Sequence, residues 1–360
     1  MRVAIGAVAG PRGGPATYAI ELVRSLAEQF PSDTFTVLTD RPDLFDSFAD
    51  TVRIPLGSAW SQPFWDHVHV ARALRRSRFD LYHGTKGVLP RFMRVPGVVT
   101  VHDLAVRVMP ETFTRAQRLH LDVETPSTLR RARVIITDSR SSANDLRRFY
   151  PRFAGKIEVI PLAAARLLAP ASPERIEAWR AARGLGNSPL VGYLGTLQPR
   201  KNVDVLARAF LAAAGERGWK LVIAGRMRPG YRPACLDWNE PRIVYLGEIP
   251  DEELSPFLGA LSCMVSPSAY EGFGLTFLEA MAAGCPVVGI ANSSVPEVLG
   301  DAGILVRGVS VDDLADAIDT LVTDVALQAT LSRRGVERAA LFSWKQTARR
   351  TRAVYEKACG

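Results

Sequence analysis

The chain has 360 residues, 47% of them hydrophobic and 23% charged, with a formal net charge of +8. That length suits two domains better than one core, and no apolar run approaches the ~18 residues needed to cross a bilayer. The four cysteines, Cys235, Cys263, Cys285 and Cys359, form no Cys-x-x-Cys pair. This argues against a zinc site or a disulfide framework and for a reduced, cytoplasmic protein.

The charge is uneven. Residues 1–163 hold 23 Lys and Arg against 16 Asp and Glu, while the rest holds 22 against 21. An anionic partner would account for the excess: a membrane surface, met peripherally at its cytoplasmic face, or a phosphorylated or lipid-linked acceptor. A compositional bias is the plainer account, since only six of the 45 basic residues are Lys. Nucleic acid is disfavoured, because the basic residues are scattered and no aromatic-basic motif accompanies them.

In chain order, residues 3–8 read as a short apolar strand and not as the core of a signal peptide, which needs a longer apolar region. A glycine turn and an amphipathic helix over 16–29 follow. Residues 35–39, 98–102 and 134–137 read as further strands, rich in Val and Ile and apolar on both faces, as covered parallel strands are. A helix falls near 141–149. After a Pro- and Ala-rich passage, 161–173, the pattern restarts. Strands are expected at 190–194, 221–224, 243–246, 261–266 and 286–290, and helices at 203–214 and 275–283. Three helical stretches close the chain, the last from about 343. This alternation predicts an α/β protein with two Rossmann-like domains and parallel sheets. Ligands of such sheets bind at the carboxyl ends of the strands, so two facing domains would hold a ligand in the cleft between them.

Several motifs fall at those strand ends. Arg12-Gly13-Gly14-Pro15 follows the first strand and opens a helix, where glycine amides can approach a phosphate or sugar. It is not Gly-x-Gly-x-x-Gly, and a tight turn alone would explain it. His102-Asp103 ends another strand, where a histidine can donate to a sugar hydroxyl or meet developing charge. His67 and His69 alternate near Trp65 with no third ligand in view, so no metal is expected there. Arg200-Lys201 precedes a helix that Asn202 could cap. Two cations oppose the helix dipole at that end, so an anion such as a diphosphate should sit against them.

The most informative segment runs from Ser266 to Pro286. Glu271 lies in a loop, Gly272 and Gly274 free the backbone at the start of the next helix, and Glu279 lies inside it. Helical side chains lean toward the N-terminus, so Glu279 is expected to reach back to the mouth that Glu271 occupies. Carboxylates accept hydrogen bonds from hydroxyls, which suits sugar and ribose. Buried structural residues are the alternative, but Glu279 among Phe277, Leu278, Ala280 and Met281 would then lack partners.

This Glu-x7-Glu segment resembles the signature of the large retaining glycosyltransferase family four, of GT-B architecture. The resemblance extends over nearly the whole chain: the Gly13-Gly14 turn, the segment 99–104 with His102, the segment 192–202 with Arg200 and Lys201, the strands 221–225 and 244–247, and Phe342-Ser-Trp344 before the last helix. It implies a transferase that moves a hexose, mannose as first choice, from a nucleotide-diphosphate sugar to an acceptor hydroxyl, in polysaccharide or glycolipid biosynthesis. It also implies an acceptor domain at 1–163, joined by a helix 345–360 crossing back, and a donor domain at 164–344. Glu271 would bind the donor sugar with the backbone of Gly272, Phe273, Gly274 and Leu275. Glu279 would bind ribose. Arg200 and Lys201 would hold the diphosphate with help from Gly13 and Gly14, and His102 would contact the sugar near its reacting end.

No cofactor is expected beyond the donor, GDP-mannose or a UDP- or dTDP-hexose. No Asp-x-Asp occurs in the chain, in keeping with a metal-independent reaction. A departure from the family pattern lies at Leu162-Ala163-Ala164, where many members carry Asn and Gly. A nucleotide-sugar epimerase on the same plan and a non-catalytic relative are the other readings. Intact Arg200, Lys201, Glu271 and Glu279 speak against the latter.

Overall fold

The structure, a computed structural model, describes residues 1–8, 13–56, 64–164 and 168–360. Arg12 and part of the Pro/Ala-rich passage lie outside the described residues. The chain divides into two compact units, Met1–Ala163 with Ser343–Gly360, and Ala164–Phe342.

The first unit carries β1 (Arg2–Ala7), β2 (Thr34–Thr39), β3 (Asp50–Arg53), β4 (Leu81–Gly84), β5 (Gly97–Thr100), β6 (Val134–Thr137) and β7 (Ile157–Val159). They form one parallel sheet in the order β3-β2-β1-β4-β5-β6-β7. Its helices are α1 (Gly14–Gln29), α2 (Ala71–Arg76), α3 (Ala105–Val108), α4 (Arg115–Arg131) and α5 (Arg140–Phe149). A π-helical turn, Trp65–Val70, leads into α2. The second unit begins with α6 (Pro173–Ala181) and holds the strands β8 (Leu190–Leu194), β9 (Lys220–Ala224), β10 (Ile243–Gly247), β11 (Cys263–Ser266), β12 (Val287–Ile290) and β13 (Ile304–Val306). These also run parallel, in the order β10-β9-β8-β11-β12-β13. Around them stand α7 (Val203–Ala214), α8 (Asp251–Gly259), α9 (Leu275–Ala282), α10 (Val295–Leu299), α11 (Val311–Thr323) and α12 (Val325–Ala340).

The apolar strands of the sequence reading are present, with shifted ends. β3, β4, β7 and β13 were not expected. Each is only three or four residues long, and β4 hides its pattern behind His83 and Gly84. Such strands are recognisable only once a neighbour pairs with them.

The last helix, α13 (Trp344–Cys359), belongs to the first unit. Ser343 caps it by accepting from the Gln346 N–H at 3.1 Å. Its inner face buries Trp344, Ala348, Val354 and Tyr355, and each large apolar side chain so covered contributes about 1.5–3 kcal/mol. Polar ties fix its register. The Thr347 hydroxyl donates to the Pro161 carbonyl at 2.7 Å, and Lys357 meets Glu158 at 2.6 Å.

Beneath α13 runs a buried hydrogen-bonded chain. Tyr18 Oη meets Thr100 Oγ1, Thr100 Oγ1 meets His83 Nε2, and His83 Nδ1 meets Tyr355 Oη, each at 2.8 Å. It links α1, β5, β4 and α13. Burial, with the nearby His102, pushes the His83 pKa down to about 3. The folded state therefore keeps His83 neutral where the unfolded chain protonates it. Between pH 6.5 and about 3 this one group should lower unfolding free energy by about 1.4 kcal/mol per pH unit. Denaturant titrations from pH 7 to pH 4 should show a shallower pH slope for His83→Gln than for the native chain.

Candidate functional site

In the second unit, three loops at the carboxyl ends of β8, β11 and β12 are laced together. After β8 the chain turns through Gly195 and makes a tight 3-10 turn, Pro199–Lys201. Gly225, after β9, packs so closely that a Cβ there would lie 2.0 Å from the Gly195 carbonyl oxygen; only glycine fits, at a φ of 129°. Asn202 adopts the left-handed region, φ 51°. Its side chain does not cap α7 as expected. It donates instead to the Pro267 carbonyl at 3.0 Å. The Ala269 N–H donates to the Arg200 carbonyl at 2.9 Å. The loop after β12 closes the lattice. Asn292 donates to the Ala269 carbonyl at 2.9 Å, the Glu271 N–H donates to Ser293 Oγ at 2.9 Å, and Ser294 Oγ donates to the Glu271 carbonyl at 3.0 Å.

This lattice brings Arg200, Lys201 and Glu271 together. The Glu271 carboxylate is 6% exposed. Lys201 Nζ donates to its Oε1, and Arg200 Nη1 lies 3.7 Å from its Oε2. Arg200 also donates to the Tyr270 carbonyl. Burial alone would raise the Glu271 pKa, but the Lys201 and Arg200 charges and the hydroxyl of Ser268 hold it below the ordinary carboxylate value. The anion expected against the two cations is thus present within the chain. Behind the cluster, burial and the charge of Glu271 push the Tyr193 phenol up.

Past Glu271, Phe273 is buried and packs edge-on against Phe342 at 5.9 Å. Gly274 stands at φ 94° as the residue before α9. Among the described residues, the N–H groups of Phe273, Gly274, Leu275 and Thr276 donate to nothing in the protein. They form an open, positive helix end.

Glu279, inside α9, is mostly buried, and its side chain makes no hydrogen bond or ion pair among the described residues. Its electrostatic neighbour is Asp251 at the start of α8. Burial, then Asp251, pushes its pKa up to about 7. The two glutamates therefore differ in state: one is an ionised carboxylate against cations, the other a carboxyl without a counter-charge.

In the first unit, α1 starts with Gly13 extended, φ 164°, and Gly14 as its first helical residue. The Gly13 carbonyl accepts from Ala16 and Thr17, leaving the Gly13 and Gly14 amides without a partner among the described residues. His102 lies two residues beyond β5, and both ring nitrogens are engaged. Nδ1 meets Asp138 Oδ2 at 2.6 Å, and Nε2 donates to the Thr85 carbonyl at 3.0 Å. A free ring N–H aimed at a sugar, as the sequence suggested, is not available. Burial would lower its pKa, yet Asp138 and the Thr85 carbonyl raise it, and burial raises that of Asp138 in turn. The Asp103 carboxylate accepts from the Ala105 N–H at 2.9 Å and opens α3.

Sequence reasoning passed over Asp138, Asn292, Ser293 and Ser294, although each follows a short apolar strand at its carboxyl end. It also passed over Asp66, 7% exposed and without a hydrogen-bond partner among the described residues. Burial pushes the Asp66 pKa up to about 7. His67 binds Glu124 through Nε2 at 3.0 Å. Among the described residues no group of three His, Cys, Asp or Glu could hold a metal ion.

Two consequences can be measured. Removing Lys201 strands a buried carboxylate, so Lys201→Met should lower stability by about 3 kcal/mol, and adding Glu271→Leu should recover most of it; a denaturant double-mutant cycle reads the coupling. For Glu279 the folded pKa lies above the unfolded value of 4.5, so its burden grows as pH rises from 4.5 and is full above about 7. Glu279→Gln should raise stability by about 1–2 kcal/mol at pH 8 and hardly change it at pH 4.5, as read by nucleotide-free thermal unfolding.

Comparison with known proteins shows the family of the chain. Residues 12–163 match the family model described as Glycosyltransferase Family 4, and residues 188–324 match that of Glycosyl transferases group 1. The chain is 31% identical over 299 residues to the O-antigen chain mannosyltransferase B of Escherichia coli, covering 79% of this chain and 76% of the relative. It is 30% identical over 313 residues to a D-inositol 3-phosphate glycosyltransferase of Corynebacterium efficiens, covering 78% and 72%. The crystal structure of HepE from Anabaena, in complex with UDP and glucose, superposes with a TM-score of 0.82 over 98% of both chains at 21% identity. With its two parallel α/β sheets on the GT-B plan, the chain belongs to glycosyltransferase family 4 and is an enzyme that transfers a sugar from a nucleotide-sugar donor.

Proposed function

We propose that the enzyme transfers a hexose, mannose in the first instance, from GDP-mannose to an acceptor hydroxyl, with retention of anomeric configuration and without a metal. The cation–carboxylate cluster of Arg200, Lys201 and Glu271 carries this reading. Without donor, Glu271 neutralises the two cations. When donor binds, its diphosphate takes Lys201 and Arg200, and Glu271 is released to the hydroxyls of the donor sugar. Fixed cations then stabilise the charge that develops on the departing diphosphate. The open amides at the start of α9 add to that stabilisation.

Glu279 would take ribose hydroxyls, which relieve a buried carboxyl that has no protein partner. In the first unit, the Gly13 and Gly14 amides suit a phosphate. His102, whose pKa Asp138 raises, would bring positive charge near the reacting sugar in place of a donated hydrogen bond. With donor bound, Glu271 in this reading is engaged by the hydroxyls of the donor sugar and is not free to act as a covalent nucleophile. Attack and departure would therefore occur on one face, with the leaving phosphate oxygen taking the acceptor proton. The acceptor belongs to the first unit in this reading, and Asp66 is suited to its hydroxyl groups.

The mannosyl choice rests on the Escherichia coli relative. A UDP-hexose is the second reading, favoured by the UDP and glucose bound to HepE.

A thermal-shift screen of nucleotides and nucleotide sugars should name the donor, since native-state binding raises apparent stability with affinity. With that donor, Glu271→Ala should lose turnover by about 100-fold or more while keeping nucleotide-diphosphate affinity. Glu279→Ala should weaken nucleotide binding by about tenfold. Equal losses of nucleotide affinity in both variants would refute this division of roles, and a sugar adduct trapped on Glu271 would refute front-face attack.

A further inference from the structure

Helix α4 exposes two large apolar side chains, Leu119 and Val123, on its outer face. Its first turns are capped by a reciprocal pair, Thr114 with Gln117. Arg115, Leu119 and Val123 follow one another at four-residue spacing and form one stripe. Glu124, Thr128 and Leu129 face the core, so the stripe faces outward. Leu119 is 69% exposed and Val123 56%.

Other exposed apolar groups gather around this stripe. Arg91 reaches Glu124 at 3.3 Å, which sets Phe92, 68% exposed, beside α4. His67 reaches the same carboxylate at 3.0 Å. The neighbouring Phe64, 57% exposed, meets His69 edge-on at 5.0 Å. Arg107 bonds Asp122 at 3.1 Å and brings α3, with exposed Val108, alongside. Half of the ten exposed large apolar residues described in the chain thus lie around one helix. A patch of that kind marks an interaction surface.

We propose that the outer face of α4, with Phe92 and Phe64 beside it, docks the enzyme on an anionic lipid bilayer. Arginines stand next to the apolar anchors in the chain: Arg91 and Arg94 flank Phe92, Arg107 precedes Val108, and Arg115 and Arg118 share α4 with Leu119, with Arg91 paired to Glu124 and Arg107 to Asp122. Apolar side chains that enter the headgroup region, surrounded by cations that meet lipid phosphate, are the two parts of an interfacial anchor. The charge of the whole unit agrees, since Met1–Ala163 with Ser343–Gly360 carries an excess of eleven positive charges and the remainder an excess of three negative ones. Among the described residues no helix is long and apolar enough to cross a membrane, so contact at the surface is the mode these residues support. The inference is independent of the donor assignment.

The test uses the full chain and two sets of sucrose-loaded vesicles: phosphatidylcholine alone, and phosphatidylcholine with about one-third phosphatidylglycerol. Sedimentation should carry the protein down with the anionic vesicles, at least about fivefold less with neutral ones, and less again as salt rises. The double variant Leu119→Asp with Val123→Asp should stay in the supernatant. Its circular dichroism and its thermal shift with nucleoside diphosphates should match the native protein, because both residues are exposed and distant in sequence from the phosphate cluster. Should that variant fold poorly, Phe64→Ser with Phe92→Ser carries the same test. Absence of sedimentation, equal sedimentation with neutral vesicles, or variants that sediment like the native chain would overturn the proposal.

Discussion

The second unit is organised by a carboxylate taken out of water and matched to two cations. A buried Glu271 is tolerable only if its charge is met, and Lys201 and Arg200 meet it from a different loop. That requirement explains the neighbourhood. Asn202 enters the left-handed region and bonds the Pro267 carbonyl, the Arg200 carbonyl receives Ala269, and Ser293 and Ser294 bond the backbone of Glu271 on both sides. Gly225 lies against Gly195 where the loops after β8 and β9 pair with one another. The three ions are two cations and one anion, so the cluster keeps one positive charge in excess.

The first unit meets the same problem with neutral groups. A chain of hydroxyls and one imidazole crosses from α1 to α13, and every ring nitrogen and hydroxyl in it finds a partner. Burial keeps His83 neutral. One strand away, His102 is drawn toward the charged state by Asp138 and the Thr85 carbonyl. Tyr18 touches both systems, bonding Thr100 and packing edge-on to His102 at 4.9 Å. The helix that returns from the end of the chain is therefore part of the support for His102 and more than an outer cover.

Glu271 and Glu279 illustrate how environment divides similar residues. Both are carboxylates on the same loop-helix segment. One has its negative charge stabilised by fixed cations, and the other has its charge resisted by burial and by Asp251. A buried carboxyl left without a partner in the protein lowers the stability of the fold.

Much of the fold was legible in the sequence because covered parallel strands are short apolar runs with helices between them. Leu190–Leu194, Val134–Thr137 and Val287–Ile290 announce themselves this way. β3, β4, β7 and β13 do not, because edge strands and strands holding a buried histidine lack that pattern, and only pairing defines them. The order of Gly13-Gly14, His102, Arg200-Lys201, Glu271 and Glu279 was also legible, as was their placement after strands. Which charge meets which was not. Residues 70 positions apart pair only when β8 and β11 lie side by side, so the sequence could call for an anion at Arg200-Lys201 but not name Glu271 as that anion. Likewise the engagement of both nitrogens of His102 depends on β4 and β6 flanking β5. The sequence by itself determined the elements and the chemical types at their ends; the parallel order of the strands decided their partners, and through those partners their charge states.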